Sequence, residues 1–185
     1  MNMPVKPNFN PDYLYFVTTT TIRHIHLFER DSIKRILVDS FHFFRTEQRM
    51  NLYIFVIMPN HIHFIARFSV EHEIGAVLRD FKRHTARQII RQLSAEQDTR
   101  ALTTLEKVVT DRRQKYKVWE EGYDARDIFS VGFLQQKMDY SHWNPCQPKW
   151  RSVKVPEDYP WSSARFYLAD QPGIIPIDDV RDLFI

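Results

Sequence analysis

The sequence predicts an α+β fold in which helices cover one or both faces of an antiparallel sheet. Segments rich in aromatic and β-branched residues, typical of strands, alternate with segments whose apolar residues recur every three or four positions, typical of helices. Two strand-like segments flank the turn Pro59-Asn60, which favours an antiparallel hairpin. The chain has 185 residues, of which 43% are hydrophobic, so it can form one domain with a sizeable core.

The first half of the chain gives four elements. Residues 13–20 form the first strand, because they are mainly aromatic or β-branched. Asp31 and Ser32 can cap a helix that runs to about residue 46. The apolar face of this helix consists of Ile33, Ile36, Leu37, Ser40, Phe41 and Phe44. The hairpin joins the near-continuous apolar run 51–58 to the strand 61–68.

The second half is predicted to be more helical. Its elements are, in order, a helix over 73–93, a polar loop over 97–104, a helix from 105 to about 114, a strand over 117–122, a helix over 130–143 that Pro145 stops, and a short helix that ends at Leu168. We interpret residues 1–12 as a lead-in, 13–168 as the domain and 169–185 as an acidic tail.

Charge is distributed unevenly along the chain. The formal net charge is only +3, but residues 79–117 hold 11 basic and 5 acidic side chains, whereas residues 156–185 hold 2 and 6. A basic middle and an acidic end indicate a polyanionic partner more strongly than the total does. The acidic end is also a candidate shield for the basic surface until a partner displaces it.

The composition excludes several classes of protein. The single cysteine, Cys146, excludes a disulfide scaffold and a multi-cysteine zinc site, and it suits a reducing cytoplasm. No stretch approaches the roughly 18 apolar residues of a membrane span, and none of the four glycines forms a phosphate-binding loop. We therefore expect a cytoplasmic protein that uses neither a membrane nor a nucleotide cofactor.

Two histidines begin the second strand of the hairpin. Side chains alternate along a strand, so His61 and His63 point to one face while the residues beside them point to the other. Two adjacent imidazoles at the end of a sheet can bind one divalent cation. His24 and His26 have the same spacing, but no apolar run flanks them, which fits an exposed loop. The strand context therefore favours His61 and His63 as the metal pair.

A tyrosine and an asparagine lie one helical turn apart at the end of the helix over 130–143. Tyr140 and Asn144 are neighbours on one helix face if the helix persists that far. A residue before proline is driven away from helical geometry, which predicts Asn144 at a frayed end. Taken alone, Tyr140 is best interpreted as packing the helix onto the sheet.

These motifs together resemble one family, the REP-associated tyrosine transposases of bacteria, which are single-tyrosine HUH transposases. The matching segments are, in order, Met58-Pro-Asn-His-Ile-His63, Phe81-Lys82, Val118-Trp-Glu-Glu-Gly-Tyr123, Tyr140-Ser-His-Trp-Asn-Pro145 and Pro156-Glu-Asp-Tyr-Pro-Trp-Ser-Ser163. Each segment is short, but their order and spacing make the resemblance specific, and it extends over most of residues 13–168.

The resemblance implies a ferredoxin-like antiparallel sheet flanked by helices. It also implies a metal-dependent cleavage of DNA by a tyrosine. His61 and His63 are implied to bind a divalent metal, Mg²⁺ or Mn²⁺, with Asn144 as the third ligand, where the insertion-sequence branch has glutamine. Tyr140 is implied to attack single-stranded DNA and to form a 5′-phosphotyrosine with a free 3′-hydroxyl. The implied partner is single-stranded DNA containing a REP-like hairpin, beside which a tetranucleotide guides cleavage. The superfamily includes obligate dimers, whereas resemblance to the REP-associated branch implies a monomer, associated with the bacterial nucleoid.

Basic side chains in the middle of the chain are the candidate DNA contacts. They are Arg79, Lys82, Arg83, Arg87, Arg91, Arg112, Arg113 and Lys115. An ordinary solvated helix face is the alternative explanation, but acidic residues are sparse here, and phosphate neutralisation would make binding salt-dependent. Four aromatic residues are candidates either for base stacking or for the core: Trp119, Tyr123, Trp143 and Trp150.

The group that activates the tyrosine is not assigned. Tyrosine ordinarily ionises only near pH 10 and needs activation at neutral pH. Asp139 and His142 are close in sequence, but their helical offsets place them on other faces than Tyr140. Lys82, from the matched helix, is a candidate for assisting through its charge.

Two departures from the family pattern leave alternatives open. The family usually has a Gly-containing apolar run where this chain has Cys146-Gln-Pro-Lys-Trp150, and Ser141 replaces the usual isoleucine. One alternative is a hairpin-binding protein that has kept the fold without the chemistry. The other is a metal-dependent phosphohydrolase that uses water. It is disfavoured because no Asp or Glu lies within the histidine motif.

Overall fold

The sheet and its connections have the ferredoxin-like order. The computed structural model describes residues 9–109 and 114–184. Four antiparallel strands, in the spatial order β2-β3-β1-β4, are β1 (Leu14–Thr20), β2 (Met50–Met58), β3 (His61–Phe68) and β4 (Asp124–Ile128). The α-helices of the described ranges are α1 (Asp31–Thr46), α2 (Ile74–Ala95), α3 (Thr99–Lys107), α4 (Val131–Trp143) and α5 (Ala164–Ala169). The predicted α+β class, the ferredoxin-like sheet and the β2–β3 hairpin are confirmed.

Helices cover both faces of the sheet. Phe64 of β3 belongs to the main core, which the sheet forms with α1 and α2. Ile65 belongs to a second apolar cluster, which the sheet forms with α4. Because side chains alternate along a strand, His61 and His63 share the face of Ile65. The histidine pair therefore lies on the α4 side of the sheet, as the alternation allows.

The first helix has the predicted bounds but a different N-terminus. Its N-cap is Arg30, and no side chain accepts a capping hydrogen bond there. Asp31 and Ser32 lie inside the helix instead, and the Asp31 carboxylate pairs with Lys34 at 3.0 Å. Of the predicted apolar face, Ile36 is only half-buried and the other members are buried.

The segment after α2 is helical where a loop was predicted. The prediction of a polar loop over 97–104 is wrong, because α3 begins there, and the predicted helix from 105 onwards ends at Lys107. Asp98 caps α3 by accepting a hydrogen bond from the backbone N–H of Ala101 at 2.8 Å. Leu105 anchors the helix in the core. Residues 110–113 lie outside the described ranges.

The fourth strand is also displaced from its prediction. The predicted strand over 117–122 makes only an isolated bridge between Trp119 and Thr21. The strand that joins the sheet is β4, at its edge, beside β1. Three of the five residues of β4 are charged. An edge strand tolerates this because one side of it faces solvent.

The C-terminal region packs against the free edge of β2. The backbone N–H of Ser163 donates to Phe55 O at 2.9 Å. The Asp178 carboxylate accepts two hydrogen bonds from the Arg45 guanidinium and one from the backbone N–H of Leu52, each at 2.9 Å. This carboxylate is therefore engaged with α1 and β2 rather than with the arginines of α2; the shielding hypothesis stays a prediction. Within the described ranges, no helix is long and apolar enough to cross a membrane.

Candidate active site and basic groove

The structure brings Tyr140 onto the histidine pair. The rings of His61 and His63 lie 4.6 Å apart between centroids, at the start of β3. Helix α4 crosses this face of the sheet and places the ring of Tyr140 5.2 Å from that of His63, edge to face. Phe16 of β1 packs against both His63 and Tyr140. These contacts place a phenol directly beside His63, whose ring in turn contacts that of His61.

The hydrogen bonds of Asn60 fix the tautomer of His61. The Asn60 amide donates from Nδ2 to His24 O at 3.2 Å, so its Oδ1 faces His61 Nδ1, 2.7 Å away. Because Oδ1 can only accept, His61 Nδ1 carries the proton. The other ring nitrogen, Nε2, is left with a free lone pair. This outer hydrogen bond is of the kind that orients metal-binding histidines.

His63 holds an unpaired nitrogen inside the protein. Its Nδ1 lies 2.8 Å from Thr18 Oγ1, its cross-strand neighbour on β1. Its Nε2 is buried and has no hydrogen-bond partner within the described residues. Buried polar atoms nearly always have a partner, and an unpartnered ring nitrogen is what a histidine would offer to a metal. The two imidazoles and their outer hydrogen bonds thus fit a divalent metal.

Both histidines are neutral at pH 7. Burial, reinforced by the charges of Lys149, His24 and His26, lowers the pKa of His61 to about 4. Burial, reinforced by His61 and Lys137, lowers the pKa of His63 to about 3. Neutral imidazoles keep the lone pairs that a cation requires. No group of three or more His, Cys, Asp or Glu side chains with metal-binding geometry occurs in the described ranges.

Asn144 follows directly on α4. It has helical dihedral angles (φ −56°, ψ −46°) and is buried, 3% exposed. The predicted frayed end is therefore wrong: the helical path continues into the 3₁₀ turn Asn144–Cys146 despite Pro145. Asn144 stays one turn from Tyr140, as the spacing predicts. Its role as a metal ligand stays a prediction.

The two titratable neighbours of Tyr140 in sequence point elsewhere, as predicted. The buried His142 pairs its Nε2 with Ser163 Oγ at 2.9 Å. Asp139 is exposed and accepts a hydrogen bond from Gln135. Neither is placed to act as a general base for Tyr140.

The basic side chains of α2 line a groove on the opposite side of the sheet. The groove has a volume of about 920 Å³ and runs between α2 and residues 114–123. Five of the predicted DNA contacts line it: Arg79, Lys82, Arg83, Arg87 and Lys115. We call this cavity the basic groove. Arg91 is exposed on α2 outside its lining, and Arg112 and Arg113 lie outside the described residues.

Lys82 differs from the other basic residues of the groove. Its ammonium donates to the backbone carbonyls of Glu120 and Gly122, and burial lowers its pKa to about 8. The side chain therefore fastens the outer wall of the groove to α2. Tyr140 lies on the other face of the sheet, so Lys82 is not placed to assist it, contrary to the expectation from sequence.

A match to a family model shows to which family the chain belongs. A family model described as "Transposase IS200 like" matches residues 11–132. The chain belongs to the IS200-like transposase family. The matched region of this transposase contains the histidine pair and α2, and it ends before Tyr140. No curated protein matches the chain.

Two solved structures are similar to this IS200-like transposase. One is described as a REP-associated tyrosine transposase bound to a REP hairpin; it is 15% identical, has a TM-score of 0.62, and the match covers 96% of this chain and 93% of that one. The other is a putative transposase from Deinococcus radiodurans R1, 19% identical, with a TM-score of 0.45 and coverage of 75% and 95%. The first likeness shows a shared fold.

Several residues of the site were not predicted. Thr18 and Asn60 orient the imidazoles, but their sequence context, a threonine-rich strand and a turn, does not indicate this role. Lys137 lies three residues before Tyr140, so helical spacing could have placed it on the same face. Among the candidate stacking residues, Trp119 is buried in the core with its Nε1 bonded to Thr85, whereas Trp143 is exposed.

Proposed function

We propose that this transposase cleaves and rejoins single-stranded DNA beside a hairpin, with Tyr140 as the nucleophile. The observation that carries the proposal is the contact between Tyr140 and His63, whose buried Nε2 lacks a partner. Tyr140 is 44% exposed, so a DNA strand can reach it.

The histidine pair would hold Mg²⁺ or Mn²⁺ through the two Nε2 atoms, with Asn144 proposed as a third ligand. Such a cation supplies positive charge that neutralises the scissile phosphate and orients it for in-line attack. The chain contributes imidazoles and a carboxamide, which add no negative charge. With both Nε2 atoms on the metal, His63 Nδ1 would donate to Thr18 Oγ1 as His61 Nδ1 does to Asn60 Oδ1, and these hydrogen bonds would hold the two rings in place.

The proposed reaction exchanges one phosphodiester for another. The Tyr140 phenolic oxygen forms a bond to phosphorus and loses its proton to solvent. The bond from phosphorus to the 3′-oxygen of the preceding nucleotide breaks, and that oxygen takes up a proton. The products are a 5′-phosphotyrosine and a free 3′-hydroxyl. Because the phosphotyrosine keeps the bond energy, the reverse attack by a 3′-hydroxyl rejoins DNA.

The basic groove is the proposed site for the hairpin. Arg79, Arg83 and Arg87 lie one turn apart on α2 and line its wall. Their guanidinium groups suit phosphates of a folded strand. One structure that shares the fold is described as bound to a REP hairpin, which supports this class of partner. We further propose that the protein acts as a monomer.

A covalent trapping experiment tests the function. Hairpin oligonucleotides with randomised single-stranded flanks, labelled at the 3′ end, are incubated with protein and Mn²⁺ and separated on a denaturing gel. The proposal predicts labelled protein, which is lost in Tyr140→Phe. The matched control is Tyr13→Phe, because Tyr13 is equally exposed at 47% but lies at the start of the sheet. Tyr13→Phe should leave the labelled band unchanged.

Two other outcomes would identify the alternatives. Binding of hairpins without any cleavage would indicate a protein that has kept only the recognition function. Cleavage that gives no labelled protein and survives Tyr140→Phe would indicate hydrolysis by water.

A further inference from the structure

Three side chains form a stripe that leads along α4 to Tyr140. They are Phe129, Phe133 and Lys137, and we call them the α4 stripe. Phe133 and Lys137 are four residues apart on one face of α4, and Tyr140 comes one further turn along. Phe129 lies just before the helix and joins the stripe by stacking on Phe133. The stripe lies outside the basic groove.

Phe129 presents an exposed aromatic ring that stacks on the half-buried Phe133. Their rings are nearly parallel, at 16°, with 4.8 Å between centroids. Phe129 precedes the N-cap Ser130, where an apolar residue usually packs inward to fix the helix start. Here it stays 76% exposed. The exposed ring face of Phe129 is suited to stacking on an unpaired nucleobase.

Lys137 carries an unpaired charge next to the nucleophile. Its Nζ lies 5.0 Å from the ring centroids of Phe16 and Phe133 and 5.8 Å from that of Tyr140. No carboxylate forms an ion pair with it within the described ranges. Cation–π contacts hold an ammonium group without neutralising it. A full positive charge is therefore fixed beside Tyr140 and available to a phosphate.

We propose that the α4 stripe binds the single-stranded DNA that leads to Tyr140, with a base on the phenylalanine pair and a backbone phosphate on Lys137. Single-stranded DNA is the chosen occupant because its bases have free faces and its backbone is anionic, which matches both parts of the stripe. In a duplex the base faces are already stacked. The inference rests on the proposed function only in taking Tyr140 as the residue that attacks this DNA. Binding of single-stranded DNA to the stripe does not depend on cleavage.

The test measures binding without cleavage. In a Tyr140→Phe background without metal, fluorescence anisotropy gives the affinity for a random-sequence single-stranded 12-mer and for a blunt hairpin. Lys137→Met and Phe129→Ala should each weaken 12-mer binding about tenfold and leave hairpin binding unchanged. Lys154→Met and Phe43→Leu are the controls, since both side chains are exposed and lie off α4. They should change neither affinity.

The other outcomes contradict either the stripe assignment or the proposed function. Unchanged 12-mer affinity in both α4 variants, or no 12-mer binding by the parent, contradicts a single-strand site on α4. A change in oligomeric state by light scattering, with DNA affinity unchanged, would assign the stripe to a protein interface. Loss of covalent trapping with intact 12-mer binding would refute the proposed function while leaving the stripe assignment in place.

Discussion

The ring of Tyr140 meets the ring of His63 edge to face, with 5.2 Å between centroids, although 77 positions separate them in the chain. Helix α4 makes this contact by packing Leu134 and Met138 onto the sheet. The apolar cluster under α4 therefore sets the position of the proposed nucleophile relative to the proposed metal pair.

Removing one histidine of the pair should abolish metal binding. We expect His63→Ala to lose Mn²⁺ binding, because it removes the buried Nε2 that lacks a protein partner. Isothermal titration calorimetry measures this directly. His26→Ala is the control: His26 belongs to the other histidine pair, is exposed, and contacts Glu29. Equal Mn²⁺ affinity in both variants would refute the assignment.

Acid should destabilise the protein in a window set by buried histidines. Burial lowers the pKa of His142 to about 4, while an unfolded histidine titrates near 6.5. The unfolded chain therefore binds more protons below pH 6.5, and stability falls as the pH drops from about 6.5 to about 4. At pH 5 the loss from His142 is about 2 kcal/mol.

Urea unfolding with a chelator at pH 7.5 and pH 5 checks this dependence. His142→Gln, which can still contact Ser163, should reduce the difference between the two pH values. A difference as large as that of the parent would show that His142 does not contribute.

The Asp178 carboxylate should stabilise the fold. Asp178→Ala removes two charged hydrogen bonds from Arg45 and leaves the Leu52 N–H without its acceptor. We expect the free energy of unfolding to fall by about 1–3 kcal/mol. Asp39→Ala, at an exposed position of α1, should change it much less. Urea denaturation of both variants makes the comparison, and equal stability would contradict the role of Asp178.

Substitutions of Lys82 and Arg87 in the basic groove should affect different properties, stability for the first and DNA binding for the second. Lys82→Met should lower the free energy of unfolding, because two carbonyls lose their charged donor. Arg87→Gln should leave stability unchanged, since Arg87 is exposed, but should reduce the salt dependence of hairpin binding by about one phosphate contact. The measurements are urea unfolding and binding across a salt series. The reverse pattern would contradict the assigned roles.

The elements that could be predicted from the sequence are those whose apolar residues recur at a regular interval. The alternation along β3 places His61 and His63 on one face, and the helical spacing of α1 and α2 matches their observed bounds closely. β4 escapes prediction because Asp124, Arg126 and Asp127 give an edge strand the composition of a loop. α3 escapes it because its polar sequence is made helical by the Asp98 cap and the burial of Leu105.

The site is less predictable than the sheet. Local sequence gives the histidine pair and the Tyr140–Asn144 spacing, but the approach of α4 to β3 depends on tertiary packing, and only the family resemblance pointed to it. Lys137 and the Phe129–Phe133 stack acquire meaning only once that approach is known. Lys82 was predicted near Tyr140 because of its charge, but the fold places it on the opposite face of the sheet.

The most direct test of the central claim is to identify the residue that carries the DNA. After reaction with a hairpin oligonucleotide and Mn²⁺, nuclease and protease digestion followed by mass spectrometry locates the remaining phosphonucleotide. The structure predicts a single adduct on the peptide that contains Tyr140. An adduct on any other tyrosine, or cleavage that leaves no adduct, would contradict it.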